Sequence, residues 1–171
     1  MRKSKNKFKN ILSVAALEKG KRLDRIIKAV SNLTNTKLTI IGEGTEKQSL
    51  INLAKSLNVN LEIKKVDHKD ISREFSKADL FVSASESYYA FEIVLIEALA
   101  TNLPVVANND EIRKEIIGNA GILSDPEIID NFSQDIKEAL KLHWGDNPRK
   151  QAEKFSWDVV SQKYINTFRG L

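Results

Sequence analysis

Six times along the chain, a short run of apolar and β-branched residues is followed by a longer segment with helical spacing. The pairs are "ILSVAAL" and "RLDRIIKAVSNL", "KLTIIG" and "EKQSLINLAKSLN", "LEIKKV" and "DISREFSKA", "DLFVSAS" and "FEIVLIEALATN", "LPVVAN" and "DEIRKEII", and "GIL" and "DNFSQDIKEALKLH". Strands separated by helices cannot pair as hairpins, so this rhythm predicts a mainly parallel, six-stranded sheet covered by helices on both faces, a three-layer α/β/α architecture. Leu23, Ile26, Ile27 and Val30 fall at i, i+3, i+4 and i+7, as do Leu50, Leu53, Ala54 and Leu57, which gives each segment one apolar stripe. Gly42 and Gly44 punctuate the second strand–helix junction, Pro104 opens a strand, and Pro126 follows Asp125. After Trp144 the stretch "GDNPRKQAEKFSWDVVSQKYINTF" predicts two further helices, the second capped by Ser156. Trp157, Tyr164 and Phe168 read there as packing residues rather than a stacking platform for bases.

A chain of 171 residues with 42% hydrophobic and 29% charged residues is long and apolar enough to bury one domain's core. Without cysteine it has no disulfide framework, thiol nucleophile or thiolate zinc site, and its two histidines leave little for metal binding. No apolar run reaches membrane-spanning length, and the basic start lacks the apolar core of a secretion signal, so a cytoplasmic location is expected. Residues 1–28 hold ten Lys/Arg against two Asp/Glu, a local +8 in a chain of net +4. Residues 1–10 read first as a solvated basic tail and second as a contact for phosphates or anionic lipid, peripheral to a membrane. Nucleic acid is not expected, because only Phe8 interleaves with the basic residues.

In open parallel sheets ligands bind beyond the carboxyl ends of the strands, where helix N-termini offer unpaired N–H groups to anions. The loops at 16–21, 42–45, 83–91 and 108–110 are the candidates, with a phosphate-bearing ligand the expected occupant. In "GEGTEK" the position that would complete a dinucleotide fingerprint is Lys47, so Gly42 and Gly44 read first as a tight turn and second as a ligand-approach loop. Glu97 interrupts the apolar helix "IVLIEALA"; a carboxylate there faces a polar cavity, where two vicinal hydroxyls would suit it, or else a wet edge or a lysine. His68 and His143 read as surface residues.

Taken in register, "ILSVAALEKGKRLDRIIKAV", "LTIIGEGTEKQSLINLAKSL", "ISREFSKADLFVSAS", "FEIVLIEALATNLPVVA", "EIRKEIIGNAGIL" and "AEKFSWDVV" resemble the C-terminal, Rossmann-like half of a GT-B glycosyltransferase of family 4 over residues 11–168. That resemblance implies a half that binds a nucleotide-diphosphate sugar, UDP- or GDP-linked, for retaining transfer to an acceptor held by a separate N-terminal half. No ligand cluster in the sequence calls for a metal, no cofactor is expected, and no catalytic residue is named. The resemblance places the donor along Ala16, Lys21, Arg22, Gly42, the run Tyr89, Ala90, Phe91, Glu92 and Ile93, and Glu97, whose carboxylate would hold the ribose. Of the basic pair for the diphosphate, Lys21 is present and Ala16 stands for the arginine, with Lys19 and Arg22 as compensating cations. Tyr89 stands where a glutamate reaches the transferred sugar, with Glu86 nearby but out of register. Glu92 replaces a small residue at the helix start, where a carboxylate suits the helix dipole but repels a diphosphate. With the first strand expected at Ile11, residues 11–171 read as the donor half alone, to be completed either by a separately encoded acceptor subunit or by the N-terminal half of a longer chain of which this is a piece. Residues 157–171 match the terminal helix that packs toward that half, so its apolar side is expected to be exposed and open to a partner. The alternative is a non-catalytic interaction module, in which Ala16, Tyr89 and Glu92 have removed donor chemistry.

Overall fold

The computed structural model describes residues 8–89 and 91–170. The first seven residues of the expected basic tail, and Ala90 of the expected donor run, lie outside the described residues. Strands β1 (Lys9–Val14), β2 (Thr36–Ile41), β3 (Leu61–Lys64), β4 (Leu80–Val82), β5 (Val105–Asn108) and β6 (Gly121–Ser124) form one sheet. Its order is β3-β2-β1-β4-β5-β6, parallel at every pairing. The expected sheet is therefore present with all six strands. Strand β1 begins two residues ahead of Ile11, because Lys9 and Asn10 already pair with Thr36 and Lys37.

The helices are α1 (Leu23–Ser31), α2 (Lys47–Ser56), α3 (Ile71–Lys77), α4 (Ile93–Ala100), α5 (Glu111–Ile117), α6 (Ile129–Ala139), α7 (Asn147–Glu153) and α8 (Trp157–Arg169). Because successive strand residues point to opposite faces, the central strands are apolar on both, and two cores result. Ile11, Leu38, Ile40, Leu80, Val82 and Val106 face α1, α2 and α6, where Ile26, Ile27, Leu50, Phe132 and Ile136 are buried. Leu12, Phe81, Val105 and Ala107 face the other way, toward Phe75, Leu95, Leu99 and Ile116. Each such side chain removed from water contributes about 1.5–3 kcal/mol, which opposes the entropy of ordering the chain. None of the helices among the described residues is long and apolar enough to cross a membrane.

The last helix departs from the packing expected of its aromatic residues and agrees with the expectation of an exposed apolar side. Ser156 caps α8 as predicted, its Oγ accepting from the Val159 N–H at 3.4 Å. The helix buries none of its residues, however, and Trp157 is 87% exposed, with Tyr164 and Phe168 also bare. Among the described residues these aromatics enter neither core.

Charge pairing ties the β3 edge to α3. The Glu74 carboxylate accepts from Lys64 Nζ at 2.6 Å and Lys77 Nζ at 2.7 Å, and these bonds, the Lys64 bond first, hold its pKa below the ordinary 4.5. A carboxylate with a depressed folded-state pKa stabilises the fold fully above its unfolded pKa, and that contribution is lost as pH falls through the folded value. Glu74→Gln accordingly lowers stability at pH 7 while making it less sensitive to acid below about pH 4.5. Urea midpoints at pH 7 and pH 3.5 check this, with the gap between wild type and variant narrowing at the lower pH.

Candidate functional site

The strand order reverses direction at β1, whose neighbours are β2 on one side and β4 on the other, and the loops leaving β1 and β4 diverge there to opposite faces of the sheet. The loop after β1 is fixed from below. Ala15 donates to Ile41 O at 3.0 Å, Leu17 donates to Glu43 O at 2.8 Å, and Glu46 donates back to Leu17 O at 2.9 Å. A Cβ on Gly42 would stand 1.9 Å from Ala15 O, and one on Gly44 2.4 Å from Leu17 O. Backbone-to-backbone contact thus accounts for both glycines, in line with the turn reading. Ala16 is exposed on this loop.

The loop then makes a single 3₁₀ turn over Lys19–Lys21 and enters α1 through Arg22, which adopts a left-handed conformation at φ 46°. That conformation is uncommon for a non-glycine residue, and the side chain explains its retention. Arg22 Nε donates to Ala84 O at 2.6 Å, Nη2 to Ser85 O at 3.3 Å, and Nη1 to Glu127 Oε1 at 2.8 Å. Arg22 therefore laces the β1, β4 and β6 loops together. A cavity of about 530 Å³ opens beside it, with Glu86, Tyr88, Asn108 and Asp125 among its walls.

The polar centre lies at the start of α4. Glu92 is the N-cap residue, yet its carboxylate makes no cap bond to its own helix and is 8% exposed. It accepts instead from Ser83 Oγ at 2.9 Å, from Ser85 Oγ, and from Arg113 through Nε at 3.3 Å and Nη2 at 3.1 Å. Lys21 Nζ approaches the same carboxylate at 3.5 Å. Arg113 is fully buried and also pairs with Asp110, which caps α5 by accepting from the Arg113 N–H at 3.0 Å. Burying charges costs several kcal/mol each unless they are paired and hydrogen-bonded, a condition this cluster meets.

The structure thus brings Lys21 and Glu92 together and sets Arg22 beside them. Rather than turning out toward a ligand, as expected for a diphosphate-repelling group, Glu92 turns inward. Its chain neighbours Phe91 and Ile93 are exposed at the rim, and Tyr89 ends a 3₁₀ turn over Ser87–Tyr89. Glu97, one turn into α4, is 33% exposed and lies 3.4 Å from Nε2 of His68, in the loop after β3. Ser83, Ser85 and Arg113 escaped the sequence reading. A signal for Arg113 existed: it shares the buried stripe of α5 with Ile116 and Ile117, at i, i+3 and i+4, and lies three residues after a capping aspartate. Among the described residues no group of three His, Cys, Asp or Glu side chains is arranged to hold a metal ion.

Residues 2–156 match the family model described as glycosyl transferases group 1. The chain belongs to that family. One relative is the N-acetylgalactosamine-N,N'-diacetylbacillosaminyl-diphospho-undecaprenol 4-alpha-N-acetylgalactosaminyltransferase of Campylobacter jejuni, 33% identical over 142 residues, covering 80% of this chain and 38% of that protein. Among solved structures, the pneumococcal O-GlcNAc transferase GtfA, in complex with UDP and GlcNAc, superposes with a TM-score of 0.79 at 20% identity. That match covers 96% of this chain and 36% of GtfA, which is also known in a GtfA/B complex. The catalytic domain of cholesterol-alpha-glucosyltransferase from Helicobacter pylori superposes with a TM-score of 0.73 at 18% identity, over 92% of this chain and 99% of that one. These likenesses identify the fold as the Rossmann-like half of a GT-B glycosyltransferase. The chain spans 19% to 46% of the length of the curated relatives it matches.

Proposed function

We propose that this chain is the donor-binding half of a retaining family 4 glycosyltransferase, taking a UDP- or GDP-linked sugar. The observation that carries the reading is the meeting of Lys21, from the loop after β1, with the start of α4 at the carboxyl edge of the sheet. An ammonium group beside a helix N-terminus stabilises charge developing on a departing diphosphate. In the transfer, the bond between the anomeric carbon and the phosphate oxygen breaks, and a glycosidic bond to the acceptor oxygen forms on the same face. The proton of the acceptor hydroxyl leaves with the nucleoside diphosphate. Glu97 accepts hydrogen bonds from the two ribose hydroxyls, and His68, at 3.4 Å, orients it.

The acceptor is held by a second half, on the same polypeptide or a separate subunit, that covers Trp157, Tyr164 and Phe168 of α8. Support comes from the bare aromatic residues of α8 and from the share of each relative that the chain spans. The basic residues 1–10 suit an anionic membrane surface carrying such an acceptor.

A nucleoside diphosphate at one hundred times its dissociation constant adds about 2.7 kcal/mol of stability, a melting-temperature rise of roughly 5–10 °C in a chain of this size. Glu97→Ala abolishes that rise while leaving the unliganded melting temperature nearly unchanged. If neither UDP nor GDP moves the melting temperature of the wild type, the non-catalytic module becomes the better reading.

A further inference from the structure

The donors around the Glu92 carboxylate form a complete oxyanion site. Two hydroxyls, Ser83 Oγ at 2.9 Å and Ser85 Oγ, two guanidinium nitrogens, Arg113 Nε at 3.3 Å and Nη2 at 3.1 Å, and one ammonium, Lys21 Nζ at 3.5 Å, converge from three separate segments. Arg113 is wholly buried and the Lys21 side chain is 15% exposed, so neither is an ordinary solvated surface charge. A guanidinium fork and an ammonium are the groups that hold phosphate oxygens. Here they hold an anion supplied by the chain itself.

Two features show that Glu92 is there for these donors and not for its helix. Its carboxylate forgoes the capping bond its position offers, and its neighbours Phe91 and Ile93 both face solvent, so an outward Glu92 would meet no obstruction from an apolar pocket. We propose that Glu92 is an intramolecular plug, occupying the phosphate position of the donor site so that a diphosphate binds there only by displacing its carboxylate. The identification of the displaced anion's rival as a diphosphate rests on the donor-binding reading given above. With the plug seated, the charges of Lys21 and Arg113 are set against those of Glu92 and Asp110. Removing the Glu92 charge leaves one positive charge in excess within a few ångströms of the incoming phosphate, which corresponds to at least about a tenfold gain in affinity. Glu92 thereby sets the affinity of the site and the donor concentration at which it fills.

The test compares wild type, Glu92→Gly and Glu92→Gln by calorimetric titration with inorganic pyrophosphate, and separately with UDP and GDP. Glu92→Gly vacates the site while Asp110 still pairs Arg113; Glu92→Gln keeps the size and much of the hydrogen bonding, so a folded variant is in hand even if the glycine destabilises α4. Far-UV circular dichroism establishes which variants are folded. The expected result is that folded variants bind pyrophosphate at least about tenfold more tightly than wild type. Folded variants that bind it no better than wild type overturn the plug. The nucleotide arm separates the two claims. If pyrophosphate tightens but UDP and GDP bind no better than pyrophosphate, the plug stands and the donor reading falls. If UDP or GDP binds wild type and variants alike, with pyrophosphate unchanged, the donor reading stands and the plug falls.

Discussion

Arg113→Ala lowers the unfolding free energy by about 3–5 kcal/mol, because it strands the Glu92 carboxylate in a buried site with one partner fewer and strips Asp110 of its ion pair. In a chain of this length that corresponds to a melting temperature lower by roughly 6–20 °C. Much of the cost is that of unpaired charge and the rest is lost packing of a fully buried side chain, and the first part is recoverable. Replacing Arg113 by Met and Glu92 by Leu together restores much of the loss, as apolar groups of similar volume avoid the desolvation that the pair must overcome. A double-mutant cycle on urea unfolding checks both statements. A strictly additive double mutant, with each substitution destabilising by its full single-variant amount, would show that Glu92 and Arg113 are not coupled.

Gly42→Ala comes next, with an expected loss of about 3 kcal/mol. The added Cβ falls 1.9 Å from Ala15 O and 3.0 Å from Ala15 C, both backbone atoms, so no rotamer change relieves the clash. The loop after β1 has to rise away from the end of β2, and it carries Lys19, Lys21 and Arg22 with it. Nucleotide binding therefore falls along with stability, even though Gly42 has no side chain to offer a ligand. Gly170→Ala is the control, because its Cβ meets nothing closer than 3.5 Å and its φ is an ordinary −91°. Urea midpoints for the two variants should differ by most of the predicted 3 kcal/mol, and equal midpoints would show that the loop yields without cost.

The fold was legible because the signals that specify it are local and repeated. Val105, Val106 and Ala107 are buried on alternating faces, which is why β5 reads as a continuous apolar run, and Ile26, Ile27 and Val30 bury one stripe of α1. The parallel order followed from the helices between strands. The site was legible only in part. Lys21 and Glu97 could be marked as polar groups on ligand-facing elements, but the partners of Glu92 come from positions 21, 83, 85 and 113, and no local spacing encodes a contact across that span. A glutamate at a helix start suggests an outward charge serving the helix dipole; the fully buried Arg113 outcompetes that role. For Trp157, Tyr164 and Phe168 the packing reading fails within this chain for the opposite reason, while the expectation of an exposed helix side holds. Their apolar character is a local signal, but whether a surface exists to receive them is not written in that signal.

The two tryptophans stand in opposite optical environments. Trp144 packs against the core and donates its indole N–H to Ala139 O at 2.9 Å, whereas Trp157 stands in water at the start of α8. Indole emission shifts to the red in water, so the folded chain carries one blue emitter inside and one red emitter outside. Unfolding recolours only the first, and a body that settles on the last helix recolours only the second, which gives the chain separate built-in reporters for its own integrity and for its company.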